Sequence, residues 1–172
     1  MPNLNDPQFD EPRDHEGFRA HRARVGYQLG TERLGISQWE LPPGEAAYPY
    51  HLHLTEEELL IVLEGTPALR TPDGWCELAE GEIVSFPRGE AGAHQLVNRT
   101  DAVIKFLAIS THGDPDVVLY PDSNKVGAAE RLSQGGGLRA FFRLDDAVDY
   151  FDGEQPPTDR SALALGSLLA PS

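Results

Sequence analysis

Between about residues 22 and 120 the sequence is a series of short apolar runs separated by glycine and proline. Runs of this length and composition are typical of β-strands, and no segment with a helical period interrupts them. Many short strands at this spacing predict an all-β sandwich or barrel. The predicted strands are RVGYQL, LGISQWEL, YPYHLHL, ELLIVLE, PALRT, WCEL, EIVSF, HQLVN, VIKFLAIS and VVLY.

Two segments of different character flank this predicted barrel of residues 22–120. Residues 1–21 hold three prolines and many charges, and we expect them to form an N-terminal arm or a disordered leader. Residues 121–172 are expected to be a C-terminal extension. Within it, Gly135–Gly137 predict a flexible connection, and the last part is expected to be disordered or to form a short helix from Thr158 or Ser161.

The charge balance excludes several kinds of partner. With 28 acidic and 14 basic residues, the formal net charge is −14. Such a surface repels phosphate backbones and anionic lipids, so we expect neither nucleic acid nor membrane binding. No apolar run follows a basic start, which predicts a cytoplasmic protein. Cys76 is the only cysteine, which excludes an internal disulfide, and its apolar context predicts an inert buried thiol.

Three histidines and one glutamate stand at positions suited to a metal. His51 and His53 are two residues apart in a predicted strand, so both imidazoles would project from one face. Glu58 opens the next run and His94 opens a later one. If the first strand ran straight on from His53, Glu57 would share its face instead of Glu58. Imidazoles with one carboxylate suit one divalent transition metal (Mn, Fe, Ni, Co or Zn) and not an all-oxygen calcium site.

Strand alternation also predicts the surroundings of these residues. An interior that is mostly apolar, with few polar groups, suits a small organic ligand. Glu56 is expected to be solvated, and His112 is expected to be a loop residue after the barrel. The side chains expected to line the pocket are Leu60, Val62, Leu96 and Asn98.

The glycines around the candidate ligands complete a pattern that resembles the two motifs of the cupin superfamily. There are six residues instead of five before the first histidine, and four instead of two between the last glycine and histidine of the second motif. Both departures fall in predicted turns, where insertions cost little. Tyr120–Ser123 and Val148–Glu154 are also similar to a group of small single-domain bacterial cupins. The motifs are Gly44-x6-His51-x-His53-x4-Glu58-x6-Gly65 and Gly81-x5-Pro87-x-Gly89-x4-His94-x3-Asn98.

The resemblance implies a jelly-roll-like β-barrel with one metal ion held inside it. The implied metal ligands point into the barrel from two neighbouring hairpins. The resemblance further implies a homodimer, with residues 1–20 and 138–152 as candidate segments for exchange between subunits. The implied ligands are His51, His53, Glu58 and His94.

Three functions are compatible with such a site. The first is a metal-dependent enzyme, of the oxygenase, decarboxylase or isomerase type, acting on a small oxygenated organic molecule. The second is a non-catalytic module in which the metal orients a small-molecule ligand. In the third, the metal only stabilises the barrel. The favoured hypothesis is the enzyme, because a four-ligand site leaves coordination positions open for a substrate.

Overall fold

The structure is a computed structural model, and it describes residues 1–10, 12–130 and 137–156. Within these residues the chain forms twelve β-strands and one short α-helix, which confirms the all-β prediction. None of the helical segments in these ranges is long and apolar enough to cross a membrane. In chain order the elements are β1 His21–Ala23, α1 Val25–Leu29, β2 Leu34–Leu41, β3 Leu52–His53, β4 Glu58–Glu64, β5 Ala68–Thr71, β6 Gly74–Glu77, β7 Ile83–Phe86, β8 Gln95–Val97, β9 Ile104–Thr111, β10 Asp116–Tyr120, β11 Lys125–Ala129 and β12 Arg139–Arg143.

A five-stranded antiparallel sheet in the order β1-β2-β9-β4-β7 forms one wall of the jelly roll. In its register, Phe106 on β9 lies opposite both Trp39 on β2 and Val62 on β4. Residues that are directly opposite share a face of the sheet. All three side chains, with Leu60, belong to the main hydrophobic core, so this face points inward. The core therefore fills the space between this sheet and the opposite wall.

Two smaller sheets complete the fold, in the orders β12-β11-β10-β3 and β6-β5-β8. Two isolated backbone bridges link the segment before β3 to the segment around β8. One joins Ala46 to Val97 and the other joins His51 to His94. These links bring the two histidine-bearing segments together, although more than forty residues separate them in the sequence.

One predicted strand is wrong, because RVGYQL contains α1. The helix ends at Gly30, whose φ of 71° is left-handed and whose amide donates a hydrogen bond to the Tyr27 carbonyl. This is a common way for a helix to end at glycine. The other nine predicted runs each contain a strand.

The sheet structure continues beyond residue 120, where the sequence predicted no strands. β11 pairs with β10 along its whole length, and β12 pairs with β11. Only Gly137 of the predicted flexible connection is described, and Gly135 and Gly136 lie outside the described residues. The helix predicted from Thr158 or Ser161 also lies outside them.

Two predictions about burial are wrong. Cys76 is exposed, because it lies on β6, a strand at the edge of its sheet with all four residues exposed. Glu56 is 1 % exposed instead of solvated. The turn before β4 directs the Glu56 carboxylate inward, where its Oε1 atom accepts a hydrogen bond of 3.2 Å from the Gly113 amide.

The N-terminal arm packs against the barrel of its own chain. The Gln38 side chain on β2 donates a 2.9 Å hydrogen bond to the Leu4 carbonyl. The Asp10 amide donates to the Arg22 carbonyl on β1 at 2.8 Å. The Arg13 guanidinium donates to the Ala47 carbonyl at 3.0 Å. The arm thus contacts both β1 and the segment that leads to the histidines.

Candidate metal centre

His51 and His94 are brought together by their backbones. The His51 amide donates to the His94 carbonyl at 3.1 Å, and the His94 amide donates to the His51 carbonyl at 2.8 Å. In such an antiparallel pair the two side chains lie on the same face. The ring centroids are accordingly 4.7 Å apart, and both residues are buried.

His53 joins this pair through strand alternation. It lies two residues after His51 and pairs with Val118 on β10. Its Nε2 atom is 3.1 Å from Nε2 of His51. The structure therefore places these two imidazoles on one face, as strand alternation predicted.

Glu58, and not Glu57, is the carboxylate that meets the histidines. Its Oε2 atom is 3.4 Å from Nε2 of His53 and 3.3 Å from Nε2 of His94. Glu58 is the first residue of β4 and lies opposite Phe86 and Ser110, on the inward face. Glu57 is exposed. The chain turns between His53 and Glu58, so alternation from His53 does not carry through to β4.

The hydrogen bonds at Nδ1 of each imidazole leave Nε2 as the nitrogen that can bind a ligand. Nδ1 of His51 donates to the Pro49 carbonyl at 3.0 Å, and Nδ1 of His94 donates to the Gly92 carbonyl at 2.9 Å. Nδ1 of His53 faces a carboxylate oxygen of Asp116 at 2.8 Å. With the Nδ1 atoms as donors, the neutral rings direct the lone pairs of Nε2 towards one another.

This arrangement fits a bound cation. Nε2 of His51 and Nε2 of His53 are 3.1 Å apart, and their lone pairs repel unless a positive charge, either a proton on His53 or a metal ion, lies between them. The buried Oε2 of Glu58 has no hydrogen-bond partner within the described residues. Atoms of His51, His53 and Glu58 all lie within 4.8 Å of one another, and His94 approaches the same carboxylate oxygen. Three imidazole nitrogens and one carboxylate oxygen are donors that divalent transition metals accept.

Burial and neighbouring charges affect the three imidazoles differently. Burial, followed by the charges of His94 and His53, lowers the pKa of His51 well below its ordinary value. Burial also lowers the pKa of His94, and the charge of Glu58 opposes this only in part. For His53, burial lowers the pKa, but the hydrogen bond to Asp116 and the charge of Glu58 outweigh burial and raise the pKa above its ordinary value. His51 and His94 are therefore neutral at neutral pH, the form that binds a metal.

Asp116 is a site residue that the sequence did not reveal. It is 0 % exposed, and its two carboxylate oxygens accept hydrogen bonds from His53 and from the Thr55 hydroxyl, at 2.8 and 2.9 Å. A carboxylate behind a metal-binding histidine orients the ring and makes it a stronger donor. Glu56 lies beside it, with Oε2 3.9 Å from Nδ1 of His53. The only signal in the sequence is an acidic residue directly before the predicted strand VVLY, a position that is usually solvated.

Aromatic rings enclose the three histidines. Phe86 stacks on His94 with centroids 3.7 Å apart and planes 7° from parallel. Tyr48 meets His51 and His94 edge-on at 4.8 and 5.3 Å, and Tyr120 lies 6.1 Å from His51. Burial of its hydroxyl, with the charge of Glu58, raises the pKa of Tyr48 well above its ordinary value. This phenol therefore keeps its proton at neutral pH and can donate a hydrogen bond.

The four residues predicted to line the pocket are all fully buried. Leu60, Val62 and Leu96 belong to the main hydrophobic core, and their contact with a ligand stays a prediction. Asn98 instead holds a turn. Its amide nitrogen donates to the carbonyls of Leu41 and Ala102, and its oxygen accepts from the backbone and hydroxyl of Thr100. These four hydrogen bonds leave no polar atom of Asn98 for a ligand.

His112 lies apart from the histidine cluster, as expected of a loop residue. Its Nδ1 atom lies 2.9 Å from the Glu32 carbonyl, and its backbone amide donates to the Arg33 carbonyl.

A hollow of about 320 Å³ touches Glu58, but none of the three histidines lines it. Several of its lining residues, such as Leu59 and Ile109, alternate with inward-facing residues and lie on the outer face of the five-stranded sheet.

The comparisons with known proteins agree with this architecture. The sequence model of the family described as "Cupin domain" matches residues 37–110. That segment contains all three histidines of the cluster and Glu58. No curated protein matches the chain.

Several solved structures are similar to this one. A protein of Silicibacter pomeroyi, named as a sugar phosphate isomerase from a cupin superfamily, is 25 % identical with a TM-score of 0.73, and the match covers 88 % of this chain and 98 % of that one. A protein of Acidithiobacillus ferrooxidans, provisionally named as the same kind of isomerase, is 28 % identical with a TM-score of 0.71 over 81 % and 87 % of the two chains. The polyketide cyclase RemF of Streptomyces resistomycificus is 25 % identical with a TM-score of 0.54, over 64 % and 78 %. With its cupin motifs, its jelly-roll sheets and these relatives, the chain is a small cupin-domain protein.

Proposed function

We propose that this protein is a metal-dependent enzyme of the isomerase type that acts on a small oxygenated organic molecule such as a sugar derivative. The observation that carries the proposal is the cluster of three imidazoles and one carboxylate: Nε2 of His53 and Nε2 of His94 lie 3.4 and 3.3 Å from the buried Oε2 of Glu58, and Nε2 of His51 lies 3.1 Å from Nε2 of His53. The names of the two most extensively matched structures above support isomerisation over oxygenation or decarboxylation.

In this proposal His51, His53, Glu58 and His94 hold one divalent ion, with Mn, Fe, Ni, Co and Zn as candidates. Such an ion would act as a Lewis acid that polarises a carbonyl or hydroxyl oxygen of a substrate.

The residues around the metal ligands have supporting roles in this proposal. Asp116 keeps the His53 ring in place through Nδ1. The protonated Tyr48 hydroxyl is a hydrogen-bond donor for a substrate oxygen, and the rings of Tyr48, Phe86 and Tyr120 exclude water from the histidines.

The proposal predicts turnover that requires the metal centre. Metal-loaded protein would be assayed for aldose–ketose interconversion of small sugars and sugar phosphates, with and without a chelator. Turnover should disappear with chelation and in a His94→Ala variant, and it should persist in His112→Ala, since that side chain contacts the Glu32 carbonyl instead of the cluster. Turnover that survives in folded His94→Ala would overturn the mechanism. Metal and ligand binding without turnover would favour the non-catalytic module instead.

We also propose that the protein is a cytoplasmic homodimer in which residues 138–152 contact the partner. The support is the exposure of apolar side chains in this segment, including Phe142, Tyr150 and Phe151. Residues 1–20 are a weaker candidate for exchange, because they already form hydrogen bonds with their own barrel.

A further inference from the structure

Two arginines from separate parts of the chain lie over the ring of Trp39, and the charge of a third arginine acts on both of them. The guanidinium carbon of Arg13, on the N-terminal arm, lies 4.7 Å from the centre of the Trp39 ring. That of Arg22, on β1, lies 5.3 Å from the same ring. Arg139, on β12, is close enough for its charge to lower the pKa of both of the others. The cluster of Arg13, Arg22 and Arg139 is called the arginine cluster below.

The register of the sheet shows that Arg22 belongs to the interior side. Arg22 lies directly opposite Trp39, and Trp39 lies directly opposite Phe106. Opposite residues in an antiparallel sheet share a face. Trp39 and Phe106 are buried core residues, so Arg22 lies on the face that lines the barrel and not on the outer surface.

Two series of aromatic rings connect the arginine cluster to His51. On one side the Trp39 ring is 6.2 Å from Tyr48, which is 4.8 Å from His51. On the other side the Arg139 guanidinium lies 5.8 Å from the ring of Phe141. The Phe141 ring is 6.0 Å from Tyr120, which is 6.1 Å from His51. On each side, two aromatic rings therefore lie between the arginine cluster and His51.

Among the described residues, no ion pair balances the positive charges of the cluster. Within residues 1–10, 12–130 and 137–156, none of the three guanidinium groups forms a salt bridge, whereas Arg19, Arg24 and Arg70 each do. The carboxylate that acts on Arg22 is Asp10, which is bonded to Arg24. Burial, followed by the charge of Arg13, lowers the pKa of Arg22 to about 10. Arg13 and Arg139 are exposed and Arg22 is half-buried, so solvent screens part of the repulsion between the three charges, and an anion among them would relieve the rest.

We propose that the arginine cluster binds the phosphate group of a small phosphorylated substrate whose oxygen-bearing end reaches the metal centre. The choice of phosphate rests on charge, since a phosphate monoester carries between one and a half and two negative charges at neutral pH and a carboxylate carries one. Arginine also binds phosphate through two parallel hydrogen bonds. The identification of this ligand as a substrate rests on the proposed function, whereas the anion site itself does not.

The test is calorimetric titration of the metal-free full-length protein with inorganic phosphate, with acetate as the carboxylate probe. We expect phosphate to bind more tightly than acetate. Arg139→Gln and Arg13→Gln should each weaken phosphate binding about tenfold or more, while the mass in light scattering stays that of the wild type, which excludes an effect through the proposed partner contact of residues 138–152. Arg99→Gln is the matched control, because Arg99 also stacks on a tryptophan, 3.8 Å from the Trp75 ring, on a different sheet. Its phosphate affinity should equal that of the wild type.

The metal content of each variant separates this proposal from the proposed function. The Arg139→Gln and Arg13→Gln variants should bind the same amount of metal as the wild type while losing phosphate affinity. Two results would overturn the anion site even if the metal is present. One is a wild-type protein that does not bind phosphate, and the other is an unchanged phosphate affinity in both variants. Phosphate binding that depends on the arginines, in a wild-type protein that takes up no metal when metal is supplied, would support the anion site and contradict the proposed function.

Discussion

Glu57 and Glu58 are neighbours in sequence with opposite surroundings, and they provide a test at the scale of one residue. Only Glu58 reaches the histidines, whereas Glu57 is exposed. We expect Glu58→Gln to reduce the metal affinity by more than about 100-fold, since a direct ligand should matter more than the partners behind it. Glu57→Gln should leave the affinity unchanged. Competition with a coloured chelator measures both. Equal effects of the two substitutions would contradict the assignment of Glu58.

Asp116 acts on the metal through His53. Because Asp116→Asn removes the charge that orients the Nδ1–H of His53, we expect the metal affinity to fall about 10- to 100-fold without loss of the fold. The same competition assay applies, with circular dichroism to confirm folding. Asp122→Asn is the control, since Asp122 forms an exposed ion pair with Arg70. An unchanged affinity in Asp116→Asn would show that Asp116 serves the fold alone.

At the scale of single elements, β4 shows the alternation on which the site depends. Leu60 is fully buried in the core, and its neighbour Leu59 is 42 % exposed. Leu60→Ala should lower the free energy of unfolding by about 2–5 kcal/mol. Leu59→Ala should change it by roughly 0.5 kcal/mol or less. Urea unfolding of both variants gives the comparison, and a larger effect at Leu59 would contradict the register of β4.

Alternation and turn signals explain why much of the site could be predicted. β4 was predicted with its bounds, because ELLIVLE stands between a polar turn and a glycine. Alternation puts His51 and His53 on one face, and the motifs of the family then join Glu58 and His94 to them. β11 was missed because Lys125–Ala129 consists of small and polar residues, and its pairing with β10 and β12 supplies the order that its composition does not.

Contacts between distant segments were beyond sequence reasoning. Asp116 and Glu56 were missed because burial of an acidic residue depends on a partner far away in the sequence. Asp116 accepts hydrogen bonds from His53 and Thr55, and Glu56 accepts one from the Gly113 amide. The arginine cluster was missed for the same reason, since Arg13 and Arg139 are 126 positions apart.

At the scale of the whole molecule, the exposed aromatic side chains of residues 138–152 predict a homodimer. Tyr150 and Phe151 are 86 % and 70 % exposed, and covering them would remove apolar surface from water. We expect light scattering to give about twice the 18.9 kDa chain mass. A Tyr150→Ser/Phe151→Ser variant should shift the mass towards the monomer, and Trp75→Ser, on the separate β5–β6 hairpin, should not. A monomeric mass for the wild type at micromolar concentrations would contradict the prediction.

The central claim is that the histidines and Glu58 hold a divalent transition metal, and metal analysis tests it most directly. The protein would be purified without an affinity tag or added metal, beside a His51→Ala/His53→Ala variant and the His112→Ala control. We predict about one Mn, Fe, Ni, Co or Zn ion per chain in the wild type and in His112→Ala, and none in the double variant. The absence of metal from the wild type, even after reconstitution, would contradict the account.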